Sequence, residues 1–274
     1  ELVVHDRAGE RIAAACAAAA GEDGGGRVLL YKNNTDFRGH SYGCHENYLL
    51  PRSLPWDTLV RGIEAFLVTR QIFAGAGKFG HEDEDRFLGP GFQITQRADF
   101  FTELQSVDTM QRRPIVNTRD EPHADPRKWR RFHVILGDAN MSPFATRLKV
   151  GTTALVLEAL VREPGFAREL PRLSDPLDTL RAISRDGSWV AGNGHRSSTA
   201  REALDIQHRF LQFAEQACDL TRPEQRALVR DWSAALDDLE CDPMRCRDRL
   251  DWVAKHALIR EFQEAEGKIG RAHV

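Results

Sequence analysis

One hexapeptide limits the fold more than any other stretch. Arg131-Phe-His-Val-Ile-Leu136 is apolar and partly β-branched, the mark of a strand, yet it carries a guanidinium and an imidazole at alternate positions. Successive side chains of a strand point to opposite faces, so Phe132, Val134 and Leu136 share one face and Arg131, His133 and Ile135 the other. A helix can cover the first face. The second is costly to bury unless a ligand, a metal or water satisfies its polar groups.

The same conflict recurs in the first half of the chain. In Cys44-His-Glu-Asn-Tyr48, inside a strand expected over 43–50, His45 and Asn47 share a face. Arg97 follows an expected strand at 92–95, and Arg119 follows one at 114–118. Four strands are thus expected each to deliver a His or an Arg. A lone strand histidine is most often a satisfied core or surface residue, but four such positions together point to a site. Arginine offers forked donors suited to phosphate oxygens, and neutral histidine is a good metal ligand. Magnesium prefers carboxylates and water, so histidines alone would not make its site; carboxylates would have to come from elsewhere in the fold.

Around these strands the pattern is helical. Val4 to Ala20 is Ala-rich and ends in the Gly-rich turn 21–26, followed by an expected strand over Val28–Tyr31. From Ser53, Trp56, Leu59, Val60, Ile63, Phe66 and Leu67 fit one face of a serine-capped helix. Ser142 can cap a second, whose apolar set includes Phe144, Leu148, Leu155, Val156 and Leu160. After the cluster Glu163-Pro164-Gly165 three more helices are expected, around 206–217, 228–239 and 250–262, their periodic apolar stripes read as core.

Composition removes several function classes. Among 274 residues, 38 basic and 41 acidic ones give a net charge of −3, which leaves no domain-wide positive field for a nucleic acid. No apolar stretch reaches membrane-span length and no signal peptide is legible, so a cytoplasmic protein with no membrane partner is expected. The five cysteines form no CxxC pair and read as reduced thiols. Gly75-Ala-Gly-Lys-Phe-Gly80 matches GxGxxG formally, but it follows a helix and precedes the acidic run 81–85, the wrong context for a dinucleotide fingerprint.

At the polar strands the sequence resembles a known family. Lys32-Asn-Asn-Thr-Asp36, Ser41-Tyr-Gly-Cys-His-Glu-Asn-Tyr48, Phe66-Leu-Val-Thr-Arg-Gln71, Asn117-Thr-Arg-Asp-Glu-Pro-His-Ala-Asp125, Gly137-Asp-Ala-Asn140 and Lys149-Val-Gly-Thr-Thr-Ala-Leu-Val156 are similar to the Pup ligase and Pup deamidase/depupylase family. The resemblance implies an α+β, glutamine synthetase-like (carboxylate-amine ligase) fold, with a curved, mostly antiparallel sheet packed by helices and incomplete at both ends. It implies His45 and His133 as magnesium ligands, Arg97 and Arg119 as nucleotide-phosphate contacts, ATP and Mg2+ as cofactors, and Pup, pupylated proteins and the proteasome system as partners.

Ser41-Tyr-Gly-Cys-His and Gly75-Ala-Gly-Lys78 look like the ligase. Gly91-Phe-Gln-Ile-Thr-Gln-Arg97, Gly137-Asp-Ala-Asn140, Ala182-Ile-Ser-Arg-Asp186 and Asp242-Pro-Met-Arg-Cys246 look more like the depupylase. The expectation is therefore an ATP-dependent depupylase, with a Pup-protein ligase or a catalytically dead Pup-binding protein as alternatives. The family's catalytic aspartate and metal-binding glutamates lie upstream of the point matching Glu1, so no catalytic residue is assigned, and the chain alone is expected to be inactive. Residues 1–163 are expected to form the central part of the ATP-binding domain and 164–267 its helical continuation. Residues 268–274 depart from the family, back-translate to sequencing-adapter DNA, and are expected to be non-native.

Overall fold

The computed structural model describes residues 1–21, 26–36, 38–80, 91–108, 113–191 and 194–266. The acidic run 81–85 and the tail 268–274 lie outside them. In chain order the elements are α1 (Leu2–Ala20), β1 (Glu46–Pro51), α2 (Trp56–Thr69), α3 (Gln71–Ala74), β2 (Lys78–Phe79), β3 (Phe92–Gln93), β4 (Glu103–Ser106), β5 (Pro114–Asn117), β6 (Trp129–Val134), α4 (Pro143–Arg162), α5 (Pro176–Arg185), α6 (Ser198–Ala217), α7 (Pro223–Cys241) and α8 (Asp251–Glu266).

A four-stranded sheet has the order β1-β6-β5-β4, antiparallel except between β4 and β5. The face carrying Phe132 and Val134 is sealed by helices, as period-two alternation requires. Trp56 of α2 meets Phe132 edge-on at 6.1 Å. Behind the sheet, α2 buries Leu59, Ile63, Phe66 and Leu67 completely, and each such side chain stabilises the fold by about 1.5–3 kcal/mol. Phe66 packs against Phe210 of α6 at 5.4 Å and Trp232 of α7 at 5.8 Å. One hydrophobic core runs from Leu50 of β1 to Val253 of α8.

Ser142 caps α4 as expected, its Oγ accepting from the Ala145 amide at 3.2 Å with Pro143 in the first turn. Two expectations fail. The helix expected from Ser53 begins at Trp56 after Pro55, without a side-chain cap; Pro55 fixes the backbone angle that Ser53 was expected to set. The segment Val28–Tyr31 forms no strand: its residues are 44–82% exposed and pair with no other strand. Instead Lys32 ties this region to α1 through Asp6 at 3.0 Å and Glu10 at 2.9 Å. β-Propensity alone does not make a strand where no partner backbone is supplied.

Among the described residues no helix is long and apolar enough to cross a membrane. The five cysteines are free. Burial pushes the Cys218 and Cys246 thiols up to about 11 and about 12, which makes both inert.

Candidate functional site

The site lies on the face of the sheet that the helices leave open. In the β1–β6 ladder Asn47 stands opposite His133 and Leu49 opposite Arg131; β5 places Asn117 against the other side of His133. Alternation then gathers His45, Asn47, Asn117, Arg131 and His133 on one surface, as expected from the sequence for four of them.

The two histidines touch. His45 Nδ1 and His133 Nε2 are 3.2 Å apart, with ring centroids at 4.9 Å. Arg131 bonds Asn47 Oδ1 through Nε at 2.6 Å and reaches His133 Nδ1 through Nη2 at 3.2 Å. A guanidinium only donates, so His133 Nδ1 accepts; its proton sits on Nε2 and is donated to His45. Gly43 permits this arrangement: a Cβ there would stand 2.6 Å from His45 Nε2.

Both imidazoles are neutral. Burial, followed by Arg131, His45 and Arg119, pushes His133 down to about 4. Burial and the guanidiniums of Arg97, Arg131 and Arg113 lower His45. Four arginines thus surround the pair, and the surface is strongly electropositive although the chain as a whole is not.

The arginines differ in freedom. Arg97 is fully buried: Nε donates to Ser41 Oγ at 2.9 Å, and Nη1 to the carbonyls of Ile135, at 3.0 Å, and Gly137. Its Nη2 alone is buried without a partner. Arg113 donates to the Ser41 carbonyl at 3.0 Å. Arg119 is 60% exposed at its side chain and only loosely paired with Glu121, at 3.9 Å.

Arg97 requires a correction. The strand before it is only Phe92–Gln93, and it pairs with β2 in a separate two-stranded sheet. Arg97 therefore reaches the site from a tight turn at Ala98–Phe100 and not from the main sheet. Of the four positions only His133 lies within a strand; His45 directly precedes β1, Arg119 follows β5 by two residues and Arg97 sits at the turn.

What holds β1 in register lies on its inner face. The Glu46 carboxylate takes Arg70 Nη1 at 2.9 Å and Nη2 at 2.6 Å, and Tyr48 donates to it at 2.6 Å. Arg70 also bonds the Leu136 carbonyl at 2.7 Å, locking the end of β6 to β1. Next to it, Gly137 adopts φ +152°, a conformation that favours glycine. Asp138 accepts from the amides of Ala76 and Gln96, at 2.8 and 2.9 Å, and so fixes the turn that carries Arg97.

Arg113 and Ser41 were missed as site residues. Neither sits at a periodic position in an apolar run, the only signal that picked out the others. Arg131 was visible on the His133 face but was not assigned a role.

The donor set can be tested against magnesium. It offers two neutral nitrogens beside four cations, and among the described residues no group of three His, Cys, Asp or Glu side chains could hold a metal. Taken alone, these residues do not fit a magnesium ion, which takes oxygen ligands. They fit an anion: the unpaired Arg97 nitrogen, the remaining His45 N–H and the exposed, loosely paired Arg119 lie around one surface.

A family model described as Pup-ligase protein matches residues 1–272. The chain belongs to the Pup-ligase family. It is 43% identical over 283 residues to a depupylase of Acidothermus cellulolyticus, a match taking in 100% of this chain and 55% of the relative. The structure superimposes on the Pup ligase PafA in complex with ADP with a TM-score of 0.79 at 35% identity, covering 98% of this chain and 60% of PafA. On PafA in complex with Pup the TM-score is 0.80 at 36% identity, covering 98% and 56%. The chain spans about half the length of the curated relatives it matches. These likenesses bear out the α+β, glutamine synthetase-like architecture expected from the sequence.

Proposed function

We propose that this chain is the nucleotide-binding core of an ATP-dependent Pup deamidase/depupylase. Its partners in this reading are Pup and pupylated proteins, and it serves the proteasome system from the cytoplasm. One observation carries the proposal: two touching, neutral imidazoles ringed by Arg97, Arg113, Arg119 and Arg131 on the open face of the sheet. The ADP bound by PafA and the Pup bound by PafA support the two ligand classes.

The reaction proposed is hydrolysis of the amide at the C-terminal glutamine of Pup, or of the isopeptide bond to a lysine. Water adds to the carbonyl carbon, and ammonia or the lysine amine leaves. The guanidiniums would stabilise negative charge on phosphate and on the carbonyl oxygen as it becomes an oxyanion, in a preorganised way that needs no reorientation during reaction. Magnesium remains an expectation: His45 and His133 would supply at most two nitrogen ligands, and its oxygen ligands are not among these site residues.

Likeness to the depupylase in Ala182–Asp186 and Asp242–Cys246 favours hydrolysis, whereas the structural matches to PafA favour the ligase. A Pup-binding protein without catalysis is the third reading. The test is to titrate the chain with ATP and with tripolyphosphate, then to assay the product of the full reading frame on Pup ending in glutamine. Polyphosphate binding with ATP-dependent ammonia release supports the proposal. Lysine conjugation of Pup ending in glutamate instead identifies a ligase. Failure of the chain to bind either polyphosphate removes the nucleotide site.

A further inference from the structure

A second site lies away from the sheet, and none of its lining residues belongs to a strand. A cavity of about 200 Å³ opens between the turn at Gly187–Trp189, the turn at Pro243–Cys246 and the first half of α8. Trp189, Met244 and Trp252 give it apolar walls; Arg196, Asp242, His256 and Arg260 line it with polar and charged groups, two guanidiniums against one carboxylate. Two stretches that look like the depupylase, Ala182–Asp186 and Asp242–Cys246, border it, and the proposed chemistry on the sheet uses neither.

Arg196 is the anomaly. It is only 5% exposed; its guanidinium lies over the Trp189 ring at 5.8 Å, and its hydrogen bonds go to backbone carbonyls: Nε to Leu239 at 3.2 Å, Nη1 to Ser188 at 3.0 Å and His195 at 3.4 Å. Nη2 is buried with no partner. Among the described residues no carboxylate forms an ion pair with it; Asp186 and Asp242 act only at longer range. Both already accept other bonds, Asp186 from the Ser188 amide at 2.9 Å and Asp242 from the Met244 amide at 3.0 Å. A buried cation without a counter-ion is costly, and burial accordingly lowers the Arg196 pKa. A bound anion would relieve that cost.

We infer that this cavity binds a small monocarboxylate with an apolar body. One free nitrogen with two N–H groups suits a single carboxylate. A doubly charged phosphate would be repelled more strongly than a monoanion by Asp242 in the wall and by Asp186 beyond it. The two indoles favour a flat or aliphatic body over a hydrated one, and the volume is below the roughly 300 Å³ at which drug-sized pockets begin. The inference stands independently of the nucleotide reading.

The test uses phenylacetate as the probe and phenylacetamide as its uncharged isostere, with the full chain at pH 7, by calorimetry and tryptophan fluorescence. Phenylacetate binds saturably and the amide at least about tenfold more weakly, the loss expected when a charge-assisted bond is replaced. Arg196→Met loses at least about tenfold, and Arg196→Lys recovers part of it. Met244→Trp fills the cavity without touching the Arg196 bonds and abolishes binding. An unchanged far-ultraviolet circular dichroism spectrum reports that each variant is folded. No saturable binding of phenylacetate, equal binding of the amide, or full binding by Met244→Trp overturns the inference.

Discussion

Replacing Arg70 by Met probes what positions the histidine pair. The structure sets the magnitude. Arg70 is fully buried and Glu46 is 6% exposed at its side chain; they share two bonds of 2.9 and 2.6 Å. Arg70→Met leaves the Glu46 carboxylate buried with only the Tyr48 hydroxyl as a strong partner, and strips a donor from the Leu136 carbonyl. Breaking a buried pair in this way costs about 3–5 kcal/mol, a large part of the ~5–15 kcal/mol that holds a protein folded. Removing both charges in Arg70→Met/Glu46→Leu avoids the stranded carboxylate, so it should recover at least about 2 kcal/mol of the summed single costs. Urea denaturation followed by circular dichroism at pH 7 gives all four corners of the cycle. An Arg70→Met variant within about 1 kcal/mol of the parent, or strictly additive costs, would refute the claim that this pair pins β1 to β6.

Other perturbations test the site itself. His133 titrates at about 4 in the fold and near 6.5 when unfolded, so between those values the unfolded chain binds more protons. Its contribution is therefore complete above pH 6.5 and is lost as pH falls to 4. Discounted for solvent screening, the parent should lose about 1–2 kcal/mol more than His133→Gln over that window, measured by urea midpoints; parallel curves contradict it. Gly43→Ala drives a methyl into His45 and should separate the imidazoles, visible as a rise of the His133 pKa by NMR. Arg119→Ala, at an exposed position, should leave stability within about 0.5 kcal/mol yet weaken tripolyphosphate binding about three- to tenfold by calorimetry. Arg97→Lys cannot span Ser41, Ile135 and Gly137 at once and should cost about 2 kcal/mol by urea denaturation as well as anion affinity.

β6 was legible because the polar His133 inside an apolar period-two run breaks a strong rule, and β1 and β5 because His45 and Arg119 stand beside such runs. The helices α4, α6, α7 and α8 were legible because their apolar positions repeat at helical spacing; most are buried, although Leu258 and Phe262 of α8 are exposed. β4 was not: Glu103-Leu-Gln-Ser106 has no β-branched residue and becomes a strand only by pairing with β5. The start of β6 was hidden because Arg130 looks unsuited to an inward position. In the fold its guanidinium lies over the Trp56 ring at 5.7 Å, a contact that favours the cation although its Nε has no hydrogen-bond partner. Val28–Tyr31 misled in the opposite direction, since its composition is right for a strand and the missing element is a neighbour. Arg97 was assigned to the wrong element, because the turn that delivers it is set by Asp138, forty-two residues from the Gln96 amide it accepts.

β1 also has a consequence for handling the protein. It forms one edge of its sheet, bonded only to β6, and its outward residue Leu49 is 52% exposed. Val28, Leu29, Leu30 and Tyr31 add a second exposed apolar run without a partner. An open strand edge recruits other strands, and a bare apolar run joins others like it. The isolated chain is thus expected to self-associate as its concentration rises, and Leu49→Lys, which puts a charge on the edge, should raise the concentration at which it stays monomeric in sedimentation.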